Sequence, residues 1–286
     1  MADAASINTI AVLGAGTMGH GIAHAAIGGG FETWLYDISA DAVETAVASV
    51  GRIVKKSVEL GKASPADEAS MLSRLHGTSS LAAALEGADF IIEAVPERLD
   101  VKLALFADID RLAKGFAVIA SNTSALSVTE LAGSLRNPGR VAGMHFFNPV
   151  HKMKLVEIVH ALESAPATLA AVQHVSQRMG KETVLVRESP GFITTRVNAS
   201  IGNEAFYMLM EGVASARDID KALKLGLNHP MGPFELVDLV GLDTRLSILE
   251  YLHRSMGEKY RPCPLLVQYV KAGRLGRKVG RGVYEY

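Results

Sequence analysis

Cysteine is almost absent from this 286-residue chain: Cys263, set between Pro262 and Pro264, stands alone, with no second cysteine to form an intrachain disulfide. A disulfide scaffold is excluded, and a reducing, cytoplasmic setting is expected. Excess charge of either sign is also missing. Lys and Arg total 29 against 30 Asp and Glu, a formal net charge of −1. No basic field draws the chain to nucleic acid or an anionic membrane, and no acidic surplus marks a disordered tail. The longest apolar runs fall far short of the roughly 18 residues a membrane helix needs. The opening MADAASIN carries an acidic residue and no apolar core of signal-peptide length. Repeats, low-complexity tracts and long charge runs are lacking, and no metal site is expected. Apolar residues, by contrast, make up 49% of the chain, enough at this length to bury one large core or two modest ones without staples.

The first half alternates short apolar runs with longer helical patterns. Strands are expected at Thr9–Leu13, Glu32–Tyr36, Phe90–Ala94, Ala117–Ala120, Val141–His145 and Leu155–Val159. Most are continuously apolar rather than alternating, as parallel strands covered on both faces by crossover helices are. A long helix is expected over Asp41–Leu60, with Ser39 and Asp41 available as caps. The fold class that follows is α/β, a doubly wound, mostly parallel sheet. The texture changes near Ser189-Pro190-Gly191. Beyond it the pattern is almost wholly helical: Phe192–Met210, Ala216–Leu225, Phe234–Val240, Thr244–Met256 and Leu265–Ala272. Ser215 followed by Asp218 resembles a capping box with Asp for Glu. Two domains are expected, 1–188 and 189–286, the second all-helical. Its many apolar positions suit either a subunit contact or internal burial.

Ile10-Ala11-Val12-Leu13 runs into Gly14-Ala15-Gly16-Thr17-Met18-Gly19, and a helical pattern follows. In a dinucleotide fingerprint the first glycine makes the tight turn, the second lets the backbone approach a pyrophosphate, and the third lets helix pack closely on strand. The helix N-terminus then offers amide donors and a positive dipole end to the phosphates, with Thr17 and Met18 in its first turn. A lone G-x-G-x-x-G is weak. Here it follows a strand, opens a helix and precedes a second strand ending in Asp37, 18 positions after Gly19. That carboxylate is placed to accept from the adenosine ribose and to repel a 2′-phosphate. Ile38-Ser39-Ala40 holds no cation, so NAD is expected rather than NADP.

A dehydrogenase needs a base for the hydroxyl proton, and histidine, with an unperturbed pKa of about 6.5, suits the task. Among nine histidines, His145 ends an expected strand, where α/β sheets gather ligand-contacting groups. Glu157 lies on the following strand, flanked by apolar residues. A buried carboxylate is costly unless paired, and His145 is its natural partner: Glu157 would hold the imidazole's tautomer and stabilise its cation.

The chain resembles the 3-hydroxyacyl-CoA dehydrogenases, and in particular their short single-function bacterial members. The resemblance rests on Gly14–Gly19, Glu93-Ala94-Val95-Pro96-Glu97, Ser121-Asn122-Thr123-Ser124, His145-Phe146-Phe147-Asn148-Pro149, Lys154-Leu155-Val156-Glu157, Ser189-Pro190-Gly191-Phe192, His229-Pro230-Met231-Gly232-Pro233 and Gly276–Tyr284, in order along the chain. It implies reversible oxidation of an (S)-3-hydroxyacyl-CoA thioester, of short acyl chain, with NAD accepting hydride. His145 would be the acid/base, Glu157 its partner, and Ser124 the group that bonds the reacting oxygen, although locally Ser124 reads as a cap or turn residue. Asn148, Glu97, Lys102 and Lys278 would contact the cofactor; read locally, Asn148 is a turn residue and the charged three are solvated charges. Ser49 and Lys56 on the first long helix would meet the CoA phosphates. The resemblance also implies a homodimer through the helical domain.

One departure stands out. Most of the family carries an asparagine just before the arginine that follows Pro-Gly-Phe, and here Thr195 precedes Arg196. Threonine offers a hydroxyl without an amide's separate donor and acceptor. Thr195 supplying the substrate hydrogen bond, Asn198 one turn on replacing it, and an altered acyl substrate all remain open. Two rival readings also stand: oxidation of a free 3-hydroxy acid or a sugar acid such as gulonate, and an NAD-binding protein without turnover.

Overall fold

The computed structural model describes residues 6–286; the leader-free reading of the first five residues falls outside them. Among the described residues the chain divides into two compact units, one ending at Glu188 and one beginning at Ser189.

The first unit is built on an eight-stranded sheet: β1 (Thr9–Leu13), β2 (Glu32–Tyr36), β3 (Leu75–Thr78), β4 (Phe90–Glu93), β5 (Val118–Ser121), β6 (Val141–Phe146), β7 (Leu155–His160) and β8 (Glu182–Arg187). The strand order is β3-β2-β1-β4-β5-β6-β7-β8. All neighbours are parallel except β6 and β7, which run antiparallel. Every residue of β4, β5 and β6 is buried, which is why Phe90-Ile91-Ile92 and Val118-Ile119-Ala120 read as unbroken apolar runs. Ile10, Val12, Ile22, Phe31, Phe90, Ile92 and Met144 join one core cluster, and each such side chain contributes about 1.5–3 kcal/mol by leaving water.

Six strands lie where the apolar runs place them, within a residue at their ends. β3 and β8 are additions. Leu75-His76-Gly77-Thr78 is too short and too polar to stand out. In β8 only Val186 is buried, because the strand forms the sheet's edge.

Helix α1 (Thr17–Gly28) follows β1, and α2 (Ala40–Glu59) follows β2. Ser39 is the cap of α2: its side chain accepts from the Ala42 amide, while Asp41 sits in the first turn. Close packing of α1 on the β1 turn needs glycine. Gly14 has φ 108°, and a Cβ on Gly19 would lie 1.7 Å from the Gly14 carbonyl oxygen.

The second unit is helical, with helices at Thr194–Met210, Ala216–Gly226, Pro233–Val240, Leu242–Met256 and Pro264–Lys271. The first of these starts two residues later than the apolar pattern suggests. Phe192 has φ 51° and donates its amide to Ser189, so the Pro-Gly-Phe segment closes a turn before the helix begins. Phe206, Phe234, Leu242, Leu249, Leu252 and Leu266 share its core. Two buried carboxylates pin the carboxyl-terminal segment. Asp238 accepts from the Val283 and Tyr284 amides and the Tyr286 hydroxyl. Asp220 accepts from the Phe234 and Glu235 amides and the Tyr284 hydroxyl, and burial pushes both its carboxyl and the Tyr284 phenol up. No helix among the described residues is long and apolar enough to cross a membrane.

Candidate active site

The glycine-rich turn and Asp37 meet at the carboxyl end of β1 and β2. Asp37 accepts from the Ala15 amide at 2.9 Å and from the Ser39 amide at 3.1 Å, which fixes the carboxylate against the middle of the turn. Helix α1 has no side-chain cap at its N-terminus, so its first amides face outward with the dipole's positive end. Gly16 and Thr17 are exposed and Met18 half-buried, and a Cβ built on Gly16 meets nothing within 4 Å. An uncapped helix start, an open glycine and a fixed carboxylate fit a dinucleotide: the amides suit its pyrophosphate and Asp37 its ribose diol.

Further along the sheet, β6 and β7 pair in a register that sets His145 opposite Glu157. Directly opposed residues project from the same face, and here the His145 Nδ1 lies 2.7 Å from Glu157 Oε2. Glu157 is fully buried and His145 is 5% exposed. The Phe147 ring packs against the imidazole, 4.6 Å between centroids. A carboxylate on Nδ1 sets the tautomer that leaves Nε2 as the basic nitrogen. The strand end is braced as well, since Asn122 Oδ1 accepts from the Phe146 amide at 2.9 Å.

Ser124 lies in the turn after β5, the strand next to β6. Its backbone is held by Glu97, whose Oε1 accepts from the Ser124 amide at 2.8 Å and from the Thr123 hydroxyl at 2.6 Å. Lys102 is not the solvated charge its local sequence suggests. It is 1% exposed, with Nζ 2.6 Å from Glu93 and 3.2 Å from Glu97. Glu93 itself is fully buried, and burial pushes its carboxyl up against the pull of Lys102 and Ser121. Glu93, Ser121, Asn122 and Thr123 were given no role by sequence reasoning. The signal for Glu93 was nonetheless close to the one that singled out Glu157: a carboxylate directly joined to an apolar strand run, Phe90-Ile91-Ile92.

Asn148 is exposed in the connection between β6 and β7. On α2, Ser49 donates to the Thr45 carbonyl and accepts from Arg52, and Lys56 pairs with Glu59 at the surface. In the second unit, the Lys278 ammonium spans both oxygens of Asp243 at 2.7 and 2.6 Å. Thr195 is half-buried in the first turn of its helix. Asn198 lines an apolar cavity of about 320 Å³ with Ile193, Val197, Met231 and Leu236. No group of three or more His, Cys, Asp or Glu that could hold a metal occurs among the described residues.

A doubly wound sheet whose first turn is glycine-rich and whose second strand ends in a fixed carboxylate defines an NAD-binding protein of the Rossmann class. Comparison with known proteins narrows this. Residues 9–189 match the family model for the 3-hydroxyacyl-CoA dehydrogenase NAD binding domain, and residues 191–286 match that for the family's C-terminal domain; the chain belongs to the 3-hydroxyacyl-CoA dehydrogenase family. It is 45% identical over 281 residues to a probable 3-hydroxybutyryl-CoA dehydrogenase of Bacillus subtilis, covering 98% of each chain. It is 42% identical to a 3-hydroxybutyryl-CoA dehydrogenase of Bradyrhizobium diazoefficiens, covering 99% of this chain and 97% of that one. The crystal structure of (S)-3-hydroxybutyryl-CoA dehydrogenase from Ralstonia eutropha superposes with a TM-score of 0.95 at 44% identity, covering 98% of this chain and 99% of that one.

Proposed function

We propose that the protein interconverts (S)-3-hydroxyacyl-CoA and 3-oxoacyl-CoA thioesters of short acyl chain, with His145 and Glu157 as the acid/base pair. NAD, when bound, accepts hydride from the carbinol carbon. His145 takes the hydroxyl proton on Nε2 while Glu157 holds Nδ1 and offsets the imidazolium charge. Ser124 donates to the oxygen that becomes the carbonyl. Gly14, Gly16, Thr17, Met18, Gly19, Asp37, Glu97, Lys102, Asn148 and Lys278 serve the cofactor; Ser49, Lys56 and Thr195 serve the thioester. The observation that carries the reading is the 2.7 Å His145–Glu157 contact on opposed strand ends. The names borne by the relatives above support the substrate.

The test is an NADH-oxidation assay over a series of 3-oxoacyl-CoA chain lengths, repeated with His145→Gln. A placed base is worth typically 10²–10⁴-fold, so turnover should fall by about that factor while NADH binding stays within about threefold. Undiminished turnover in the variant would end this assignment of the base.

The protein is further proposed to be a cytoplasmic homodimer joined through its helical unit. That unit leaves Val213, Leu225, Leu227 and Leu239 between 50% and 78% exposed, apolar side chains that a subunit contact would take out of water. Sedimentation equilibrium should return twice the chain mass of 30.4 kDa; a monomer at micromolar concentration would refute it.

A further inference from the structure

Glu93 has no bond to His145, Glu157 or Ser124, yet its bonds through Ser121 and Lys102 lead to the turn that holds Ser124. Its Oε1 accepts from the Val95 amide at 2.8 Å and from Lys102 Nζ at 2.6 Å. Its Oε2 accepts from the Ser121 hydroxyl at 2.6 Å. From there two routes reach the same turn. Ser121 Oγ accepts from the Thr123 amide at 3.2 Å. Lys102 crosses to Glu97, whose Oε1 accepts from the Thr123 hydroxyl and the Ser124 and Ala125 amides. The register of the sheet makes this possible, for Glu93 is the Cα partner of Ser121 on β5 and of Leu13 on β1.

A sheet interior that needed only filling would take an apolar residue here. A buried ion pair is weak evidence for stability, because desolvation offsets its attraction. What such a pair does supply is a fixed arrangement of whatever it is bonded to.

We propose that Glu93 is a positioning residue for the reaction, locking the Ser121–Ala125 turn so that Ser124 meets the substrate oxygen in a single orientation. This rests on the reading of Ser124 given above. Lys102 carries the lock from Glu93 to Glu97, and Ser121 carries it directly to Thr123.

The experiment is a double-mutant cycle in kcat with 3-oxobutyryl-CoA and NADH, on wild type, Glu93→Gln, Ser124→Ala and the pair. Glu93→Gln keeps the shape of the side chain and removes its charge. It should lower kcat by about tenfold to hundredfold, with KM for the thioester moving less than about threefold. Because Glu93 acts through Ser124, the double variant should be no slower than Ser124→Ala, within about twofold. Wild-type kcat in Glu93→Gln beside a crippled Ser124→Ala overturns the role of Glu93 alone. A double variant showing the product of the two losses overturns it too, since Glu93 would then act elsewhere. Wild-type kcat in Ser124→Ala refutes the reading of Ser124 and removes the route proposed here. Should Glu93→Gln not yield folded protein, Ser121→Ala carries the test: it cuts one of the two routes and should cost about threefold to tenfold in kcat, and wild-type kcat there overturns the proposal.

Discussion

Helix α1 begins at the glycine-rich turn and carries a half-buried histidine along its length. His24 lies one turn beyond His20 and faces His151, 6.3 Å between ring centroids. Its Nδ1 is buried without a hydrogen-bond partner. Burial, then the charges of His151, Lys181 and His20, lower its pKa from 6.5 to about 4. His151 is itself lowered by burial and by Lys152, Lys181 and His20. Lys181 stays fixed in the cluster by donating to the Val150 and Met153 carbonyls.

The folded pKa therefore lies below the unfolded one, so the unfolded chain binds the proton first. Stability is unaffected by His24 above about pH 6.5, falls as pH drops from there, and levels off below about pH 4. Between about pH 7 and about pH 5 the loss amounts to about 2 kcal/mol, at 1.36 kcal/mol per pKa unit. Replacing His24 by Leu removes the titration and the unpartnered nitrogen while keeping a good helix former. Urea unfolding at the two pH values, on wild type and His24→Leu, measures the difference. The wild type should lose about 2 kcal/mol more than the variant on acidification. Parallel losses, equal within about 0.5 kcal/mol, would refute the argument that His24 is held neutral by burial.

Two further outcomes follow from the site. Glu157→Gln keeps the hydrogen bond to His145 in shape but removes the charge that stabilises the imidazolium, so kcat should fall by about a hundredfold or more with NADH affinity nearly unchanged; stopped-flow hydride transfer at the wild-type rate would show Glu157 to be structural. Asp37 should hold kcat/KM for NADP at least about a hundredfold below that for NAD, and Asp37→Ala should narrow the gap; equal use of both cofactors by the wild type would contradict the role given to the carboxylate.

The fold was legible where one physical pressure acted alone. Val118-Ile119-Ala120 and Phe90-Ile91-Ile92 are buried on both faces, so continuous hydrophobicity marks them without ambiguity. At the sheet's edges the pressure weakens, and β3 and β8 carry sequences that fit a loop as well. The phase shift at Phe192 has a different cause. Its apolar side chain continues the helical pattern, but its positive φ belongs to a turn, and side-chain polarity does not report backbone dihedrals.

The site followed the same rule. The contact between Glu157 and His145 was legible because a carboxylate amid apolar residues demands a partner and the nearest strand end offers one. Lys102 was not, because a lysine in a helical pattern is normally solvated. Only the packing of its helix brings it under two carboxylates.

The two fully buried glutamates of the sheet carry the same implication. Glu93 closes β4 behind Phe90, Ile91 and Ile92, Glu157 lies in β7 between Val156 and Ile158, and each is held by an ionisable partner, Lys102 or His145. Charge pairs of this kind are often replaceable by well-packed hydrophobic groups at no cost in stability, so stability does not account for them. They share a place in the fold: Glu93 lies on a strand whose neighbour β5 leads into the turn that holds Ser124, and Glu157 lies directly opposite His145 on the neighbouring β6. A parallel sheet supplies rigidity to its strands but leaves the turns at their ends to local bonding. Anchoring those turns on charges buried within the strands transfers the sheet's rigidity to the side chains that must be held within about 0.5 Å of a productive geometry. On this argument the sheet's charged interior and the strand ends proposed for the chemistry are one device.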